Sequence, residues 1–522
     1  MRRIVSIATL ALTVAAAALA QQQAQRPRRP HPHGHEQTEP RLLIQVPLTA
    51  NTTGVWSTLP DGCPINPVHV ALMHNGKLLI ICGSGNYETN FVFTAGIFDP
   101  ERNLVQTFPI ATDMFCNGMA ILPDGRPLVV GGTMTYDTAA TGVFTGLPTT
   151  AIFDPATGMF TPGPAMDDGR WYPTVTILPD GRAMTIAGLD IHGVMNQSVE
   201  IYDPKTNKWS PAGAAFDNVD FYPRQFVLPN GMVFEAGWNP NTQMWNPATQ
   251  EWTLVANTNY EKNRDYGTAF LMPLTPANKY QAKVMILGGH TGWPPDTGPP
   301  TDTTEIIDFS VPKPQWQWGP KLNAPRVQLN ATLLPNGKVL VSGGSRVNET
   351  AASAVKEALL YDPATNAFTS AGTQTFPRLY HSNTILMPDA TVLAFGGNPI
   401  RGDYEGHVEV YQPPYLFQAN GAAAVRPAIV TVPAAIGYGG AFPVTTRGAA
   451  PANGRVVLMR PGAVTHAFDM EQRLVELTFS ANNNELTVTA PANPNLAPPG
   501  WYLLFVLDSN GVPSVGRFVQ LR

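Results

Sequence analysis

Charge is scarce in this chain. Of its 522 residues only 14% are Asp, Glu, Lys or Arg, against roughly 25% in an average soluble protein. The net charge is −5, and with no basic excess neither nucleic acid nor an anionic membrane is expected as a partner. Cysteine is scarcer still: Cys63, Cys82 and Cys116 are the only three. Zinc sites favour two or more Cys or several His, and the body of the chain offers too few. A Gly-rich phosphate loop, a GxSxG elbow and an HExxH helix are all missing, so an organic cofactor pocket finds no support. Beyond the N-terminus no apolar run is long enough to span a bilayer.

Gly (46) and Pro (51) are abundant, which favours short strands and tight turns over long helices. The length exceeds what one small core needs, so two or more domains are expected. Residues 1–20, "MRRIVSIATLALTVAAAALA", place two arginines before an apolar run that ends in small residues. They read as an export signal, with a membrane anchor as the rival reading. The expected location is the medium, the periplasm or the cell surface. Residues 21–41 are polar, Pro-rich and aperiodic, hence a disordered linker; His31, His33 and His35 there are either a solvated tail or loose metal binders. Export permits a disulfide, with Cys63 and Cys82 the expected pair. That leaves Cys116 unpaired, and an odd cysteine in an exported protein needs a reason.

One phrase recurs seven times, as in "NGMAILPDGRPLVVGGT" (117–133) and "SNTILMPDATVLAFGGN" (382–398). Each copy reads strand, turn, strand, Gly pair. Between copies stands a second phrase, as in "AIFDPATGMF" and "LLYDPATNAF": a strand, an Asp-Pro turn and an aromatic strand. A four-strand unit repeating about every 50 residues is the kelch period of a β-propeller. The expected fold is all-β, a seven-bladed propeller over 42–411 that residues 42–58 could help to close. After residue 412 the period stops, and short strands over 412–522 read as an immunoglobulin-like β-sandwich.

The repeats align on the Pro of their LPDG-type turns. Seven places earlier stand Cys116, Tyr172, Tyr222, Tyr266, Gln328 and His381, and in the first repeat, aligned on its Asn-Gly turn, Pro67. In a propeller these positions share one height and ring one mouth of the channel. A thiol, three phenols and an imidazole at one ring suit a metal or cofactor, although Tyr also packs well at strand ends. Nitrogen and oxygen donors in a tetragonal array suit Cu(II).

Five motifs stand in order along the chain: "MFCNG" (114–118), "RWYPTVTILPDGR" (170–182), "RLYHSNTILMPD" (378–389), "GAVTHAFDMEQRLVELTF" (462–479) and "GWYLLFVLDSNGVPSVGRF" (500–518). Together they resemble the copper radical oxidases, the family of galactose oxidase and glyoxal oxidase. The resemblance implies one copper ion held by Tyr172, Tyr380, His381 and His466, with His466 delivered by the C-terminal domain. It implies a thioether between Cys116 and Tyr172 that forms a Tyr-Cys radical cofactor, which accounts for the odd cysteine. It also implies oxidation of a small aldehyde or a primary alcohol with reduction of O2 to H2O2. Tyr380 then acts as general base and the Tyr172 radical takes the substrate hydrogen. The short stretch before the propeller leaves no room for galactose oxidase's N-terminal carbohydrate-binding domain, so the expected architecture is closer to glyoxal oxidase. Small aldehydes of the glyoxal or methylglyoxal type are the expected substrates. Primary alcohols or sugars are the alternative, and a non-catalytic glycan-binding propeller the second. Peroxide-using enzymes and cell-surface glycan are the expected macromolecular neighbours. Where galactose oxidase stacks a Trp over its cross-link, this chain has Asp190. Trp171 and Trp293 are candidates to shield the radical instead, and Tyr222, Arg264, Tyr266 and His290 are candidate pocket residues. His69, His74, His192 and His407 read as surface or structural.

Overall fold

The computed structural model describes residues 47–213, 220–291, 298–347, 349–400 and 402–522. The expected signal, the whole expected linker and Trp293 lie outside the described residues. Nearly all regular structure is β. Among the described residues seven sheets follow the repeat, and six of them take four strands in chain order from the channel outwards. The second, for example, runs Gly118–Ile121, Pro127–Val130, Thr150–Asp154, Met159–Pro162. In the last sheet Asn383–Leu386, Val392–Phe395 and Glu409–Gln412 are joined by Val55–Thr58, which pairs antiparallel with Glu409–Gln412. The N-terminal part of the chain thus completes the sheet formed last in sequence. Its innermost strand, Asn383–Leu386, lies against His69–Leu72 of the first sheet.

Local chemistry explains the regularity. In each Asp-Pro or Asn-Pro turn the side-chain oxygen accepts the N–H two residues on, as Asp154 does from Ala156 (2.8 Å) and Asn246 from Ala248 (2.9 Å). These are Asx turns, which fix the reversal without help from the core. The Gly pairs serve contact between sheets. Gly131 and Gly288 have φ of 75° and 59°. A Cβ at either would stand 2.1 or 2.5 Å from the carbonyl of Arg170 or Arg326 in the next sheet. The partner glycines donate to those same carbonyls (Gly132 to Arg170 and Gly289 to Arg326, both 3.0 Å).

Arg170 and two other arginines at this position, Arg264 and Arg378, are buried. Arg170 pairs with Glu200 (2.7 Å), Arg264 with Glu305 (2.8 Å) and Arg378 with Glu409 (2.9 Å). Arg264, a candidate pocket residue by sequence, is one of a repeated set, with Arg170 and Arg378, whose guanidinium is held by a glutamate of the sheet that the arginine leads into. Its guanidinium also bonds the carbonyls of Gly288 and Thr303 (3.0 and 3.1 Å).

Two further sheets follow the repeat. One contains Ile429–Thr431, Ala441–Thr446, Glu485–Thr489 and Phe479–Asn482. The other contains Ala435–Ile436, Arg517–Leu521, Gly500–Leu507, Arg455–Arg460 and Arg473–Leu477. Between Arg455–Arg460 and Arg473–Leu477 the chain projects a hairpin, Ala463–Thr465 with Phe468–Asp469. It pairs with His69–Leu72 and touches the innermost strands of the second, fifth, sixth and seventh sheets, so it occupies the channel. Asp469 Oδ1 closes its base by accepting the N–H groups of Ala463, Glu471 and Gln472, each at 3.0 Å. Glu471 in turn pairs with buried Arg460.

Burial raises the Asp469 pKa from 3.8 to about 6. Between those values the folded chain holds a proton that the unfolded chain has released. Stability from this group is therefore full below about 3.8 and falls as pH rises to about 6. Asp469→Asn keeps the accepting oxygen and removes the titration. Relative to this variant the wild type is expected to lose on the order of 3 kcal/mol across that window. Denaturant melts of both proteins over the same pH range check this, and parallel profiles would count against it.

The expected Cys63–Cys82 disulfide is not formed: both thiols are free and buried. Each has other partners. Cys82 bonds the Thr94 side chain and the Asn66 backbone, and Cys63 the Ile65 backbone. Burial pushes the Cys63 thiol up to about 12.

Candidate metal centre

The positions aligned from the repeats share one backbone conformation. Cys116, Tyr172, Tyr222, Tyr266, Gln328 and His381 all have positive φ, from 42° to 72°. Non-glycine residues seldom adopt this left-handed conformation, and here it recurs at one position in six sheets. Each residue stands at or just before the start of its innermost strand. Strict two-residue alternation is therefore broken at this point. That is how Tyr380 and His381, adjacent in sequence, stack ring on ring, with centroids 3.7 Å apart and planes 30° apart.

His466 stands at the tip of the channel hairpin, also at positive φ (47°). Its Nε2 lies 3.0 Å from Nε2 of His381 and 3.9 Å from Sγ of Cys116. These three donors lie within 4.8 Å of one another and all are buried. The Tyr172 and Tyr380 rings flank the His466 imidazole, with centroids at 4.6 and 5.3 Å. Tyr222 packs against both Tyr172 and His466 at 4.6 Å and donates its hydroxyl to the Asn117 carbonyl (2.8 Å).

The tautomers of both imidazoles follow from their partners. Asn398 donates its amide N–H to the Asp403 carbonyl, so its Oδ1 accepts from His381 Nδ1 (2.7 Å). Thr465 donates its hydroxyl to the Val68 carbonyl (3.0 Å), so its oxygen accepts from His466 Nδ1 (2.6 Å). Burial holds both rings neutral, His381 down to about 3 and His466 well below the usual imidazole range. Each Nε2 then carries a lone pair, and the 3.0 Å contact sets two acceptors face to face with no proton between them. A cation relieves that repulsion. Two nitrogens each about 2 Å from one ion stand near this separation when cis, so the donor set fits a metal.

Trp171 lies over Tyr172 with ring centroids 3.9 Å apart. Its other neighbour is Phe144, stacked at 4.4 Å and 13°, and its Nε1 donates to Thr133 Oγ1 (3.1 Å). Asp190 instead caps a turn, its Oδ1 accepting from the N–H groups of His192 (2.7 Å) and Val194 (2.9 Å). Tyr266 meets Tyr380 edge to face at 5.3 Å, and His290 stacks on Tyr266 at 6.0 Å. Gln328 is buried with neither amide atom partnered among the described residues.

Asn398, Thr465 and Phe144 were not singled out by sequence. Asn398 directly follows a Gly pair and Thr465 directly precedes His466, positions that offered a signal. His69, read as surface or structural, is fully buried with its ring 5.8 Å from that of His466.

The family model described as "Glyoxal oxidase N-terminus" matches residues 73–415, and "Galactose oxidase-like, Early set domain" matches 426–521. The chain is 26% identical over 451 residues to a galactose oxidase of Gibberella zeae, covering 81% of this chain and 63% of that one. It is 28% identical to an aldehyde oxidase of Vitis pseudoreticulata, covering 90% of this chain and 98% of that one. A solved fungal alcohol oxidase in complex with copper superposes with a TM-score of 0.77 at 25% identity, covering 90% of this chain and 99% of that one. The chain spans about half to two thirds of the length of the first curated relatives it matches.

Proposed function

We propose a copper-dependent, peroxide-forming oxidase activity for this chain, which belongs to the glyoxal oxidase family of copper radical oxidases and carries a galactose oxidase-like early set domain. The observation that carries the proposal is the facing pair of neutral Nε2 atoms on His381 and His466, set among Cys116, Tyr172 and Tyr380. In this reading His381, His466, Tyr172 and Tyr380 hold the copper, and Cys116 is joined to Tyr172 as a thioether. Bound copper supplies one-electron chemistry with dioxygen, so that a two-electron oxidation of the substrate is matched by reduction of O2 to H2O2.

The chain's own groups do the rest. Tyr380 Oη takes the substrate hydroxyl proton. Tyr172, its ring electron-enriched by the attached sulfur, takes the hydrogen from the carbon bearing that hydroxyl. Trp171 covers the Tyr172 ring and excludes water from it, in the place that Asp190 cannot fill. Gln328, with a buried and unpartnered amide, offers hydrogen bonds to a substrate oxygen.

Small aldehydes, oxidised as their hydrates to carboxylic acids, are the preferred substrates on the match to the Vitis aldehyde oxidase, which spans nearly all of both chains. Primary alcohols are the second reading, favoured by the fungal alcohol oxidase. We read residues 1–20 as an export signal and place the boundary of the C-terminal domain near residue 412. A peroxide-coupled assay of copper-loaded protein over glyoxal, methylglyoxal, galactose and simple primary alcohols tests the function. Peroxide with the aldehydes is expected. A preference for alcohols would select the second reading, and silence across the whole panel would defeat both.

A further inference from the structure

Building on the cofactor reading above, we infer that His69 is a positioning residue that holds the Cys116 backbone in place for its cross-link to Tyr172. At three of the six ring positions the N–H of the turning residue donates to the carbonyl of the ring residue one sheet earlier. Tyr172 donates to Cys116 (3.0 Å), Tyr222 to Tyr172 (3.0 Å) and Gln328 to Tyr266 (2.7 Å). For Cys116 the earlier ring residue is Pro67, whose carbonyl accepts from Asn383 Nδ2 instead (2.5 Å). The Cys116 N–H goes to a side chain, Nε2 of His69, at 3.1 Å.

His69 is well placed for this. It begins the innermost strand of the first sheet, the strand on which the channel hairpin pairs, and it sits opposite Thr465. One imidazole therefore spans from the strand that seats His466 to the backbone of Cys116. The left-handed turn at Cys116 (φ 62°) is unfavourable for a residue with a side chain. It persists only where its surroundings fix it.

Packing alone does not account for a histidine here. With Nε2 accepting, the proton sits on Nδ1, and Nδ1 is buried with no hydrogen-bond partner among the described residues. An apolar side chain would fill the space without burying an unsatisfied N–H. What it could not do is accept the Cys116 N–H.

The reaction that depends on this position is the cross-link itself. The Cys116 S–H bond and one Tyr172 C–H bond beside the hydroxyl break, and one C–S bond forms. The two electrons and two protons released pass to O2, giving H2O2. The product is lighter by two hydrogen atoms.

The test is a time course. Full-length protein made without copper is given Cu(II) in air, and intact mass is followed. His69→Gln places Oε1 where Nε2 stood and is expected to form the thioether at nearly the wild-type rate. His69→Asn stops one bond short and His69→Leu has no acceptor, so both are expected to be slower by about 10-fold or more. Thermal melting reports that each variant is folded. Because Gln and Asn are both neutral amides, comparing them separates acceptor geometry from general disturbance. Equal rates in wild type, Asn and Leu variants would overturn the role of His69, as would a Gln variant as slow as the Leu one. Absence of the mass change in the wild type would instead overturn the cofactor reading, and the role of His69 with it.

Discussion

Tyr172→Phe is expected to abolish peroxide formation and thioether formation together. The loss of activity should be at least about 10⁴-fold, near the smaller of the losses that follow removal of one member of a catalytic set. The substitution deletes one oxygen and keeps the ring that packs against Trp171, Tyr222 and His466 at 3.9, 4.6 and 4.6 Å. It also keeps a Cβ at a position already held at φ 72°, so the backbone strain is unchanged. Stability should move by no more than about 1 kcal/mol, which separates chemistry from folding. Intact mass after exposure to copper and air, read beside the peroxide assay, checks both halves. A variant that keeps the activity would remove Tyr172 from the reaction and end the proposed mechanism.

The second large effect is expected at the hairpin tip. His466→Ala should weaken Cu(II) binding by more than about 100-fold, since loss of a mere supporting partner of a ligand already costs roughly 10- to 100-fold. The hairpin itself should survive. Its strand keeps the register Ala463 to Ala71, Val464 to Val70 and Thr465 to His69, and Asp469 keeps its three N–H bonds. The variant therefore tests the ligand rather than the loop. Competition against a chelator of known affinity measures the change, with electron paramagnetic resonance reporting the copper environment. Unaltered affinity would show that His466 does not hold the metal.

Both experiments address one arrangement with two origins. The ring was visible in the sequence because the repeat carries its own ruler. An LPDG-type turn and a strand of fixed length place Cys116, Tyr172 and His381 seven residues before the aligned turn Pro, whatever the rest of the fold does. Motif resemblance added Tyr380 and His466. Arg264 reads as a candidate pocket residue by sequence because nothing local announces that Glu305, 41 residues later, pairs with it. The expected Cys63–Cys82 bridge failed for a related reason. Compartment argues that a disulfide is permitted, but only packing decides which partners the thiols have.

The sequence by itself therefore determined the strands, the turns, the periodic sheets and the height of the ring. Alternation, Asx turns and Gly pairs are short-range devices that act over a few residues. Only the tertiary structure decided that His381 and His466, 85 residues apart, present lone pairs to each other at 3.0 Å. It alone brought Cys116 and His466 together across 350 residues, and put His69 beneath Cys116. Those contacts depend on the sheets meeting around a channel and on a hairpin from the C-terminal sheets filling it. Neither long-range event leaves a periodic trace in the chain.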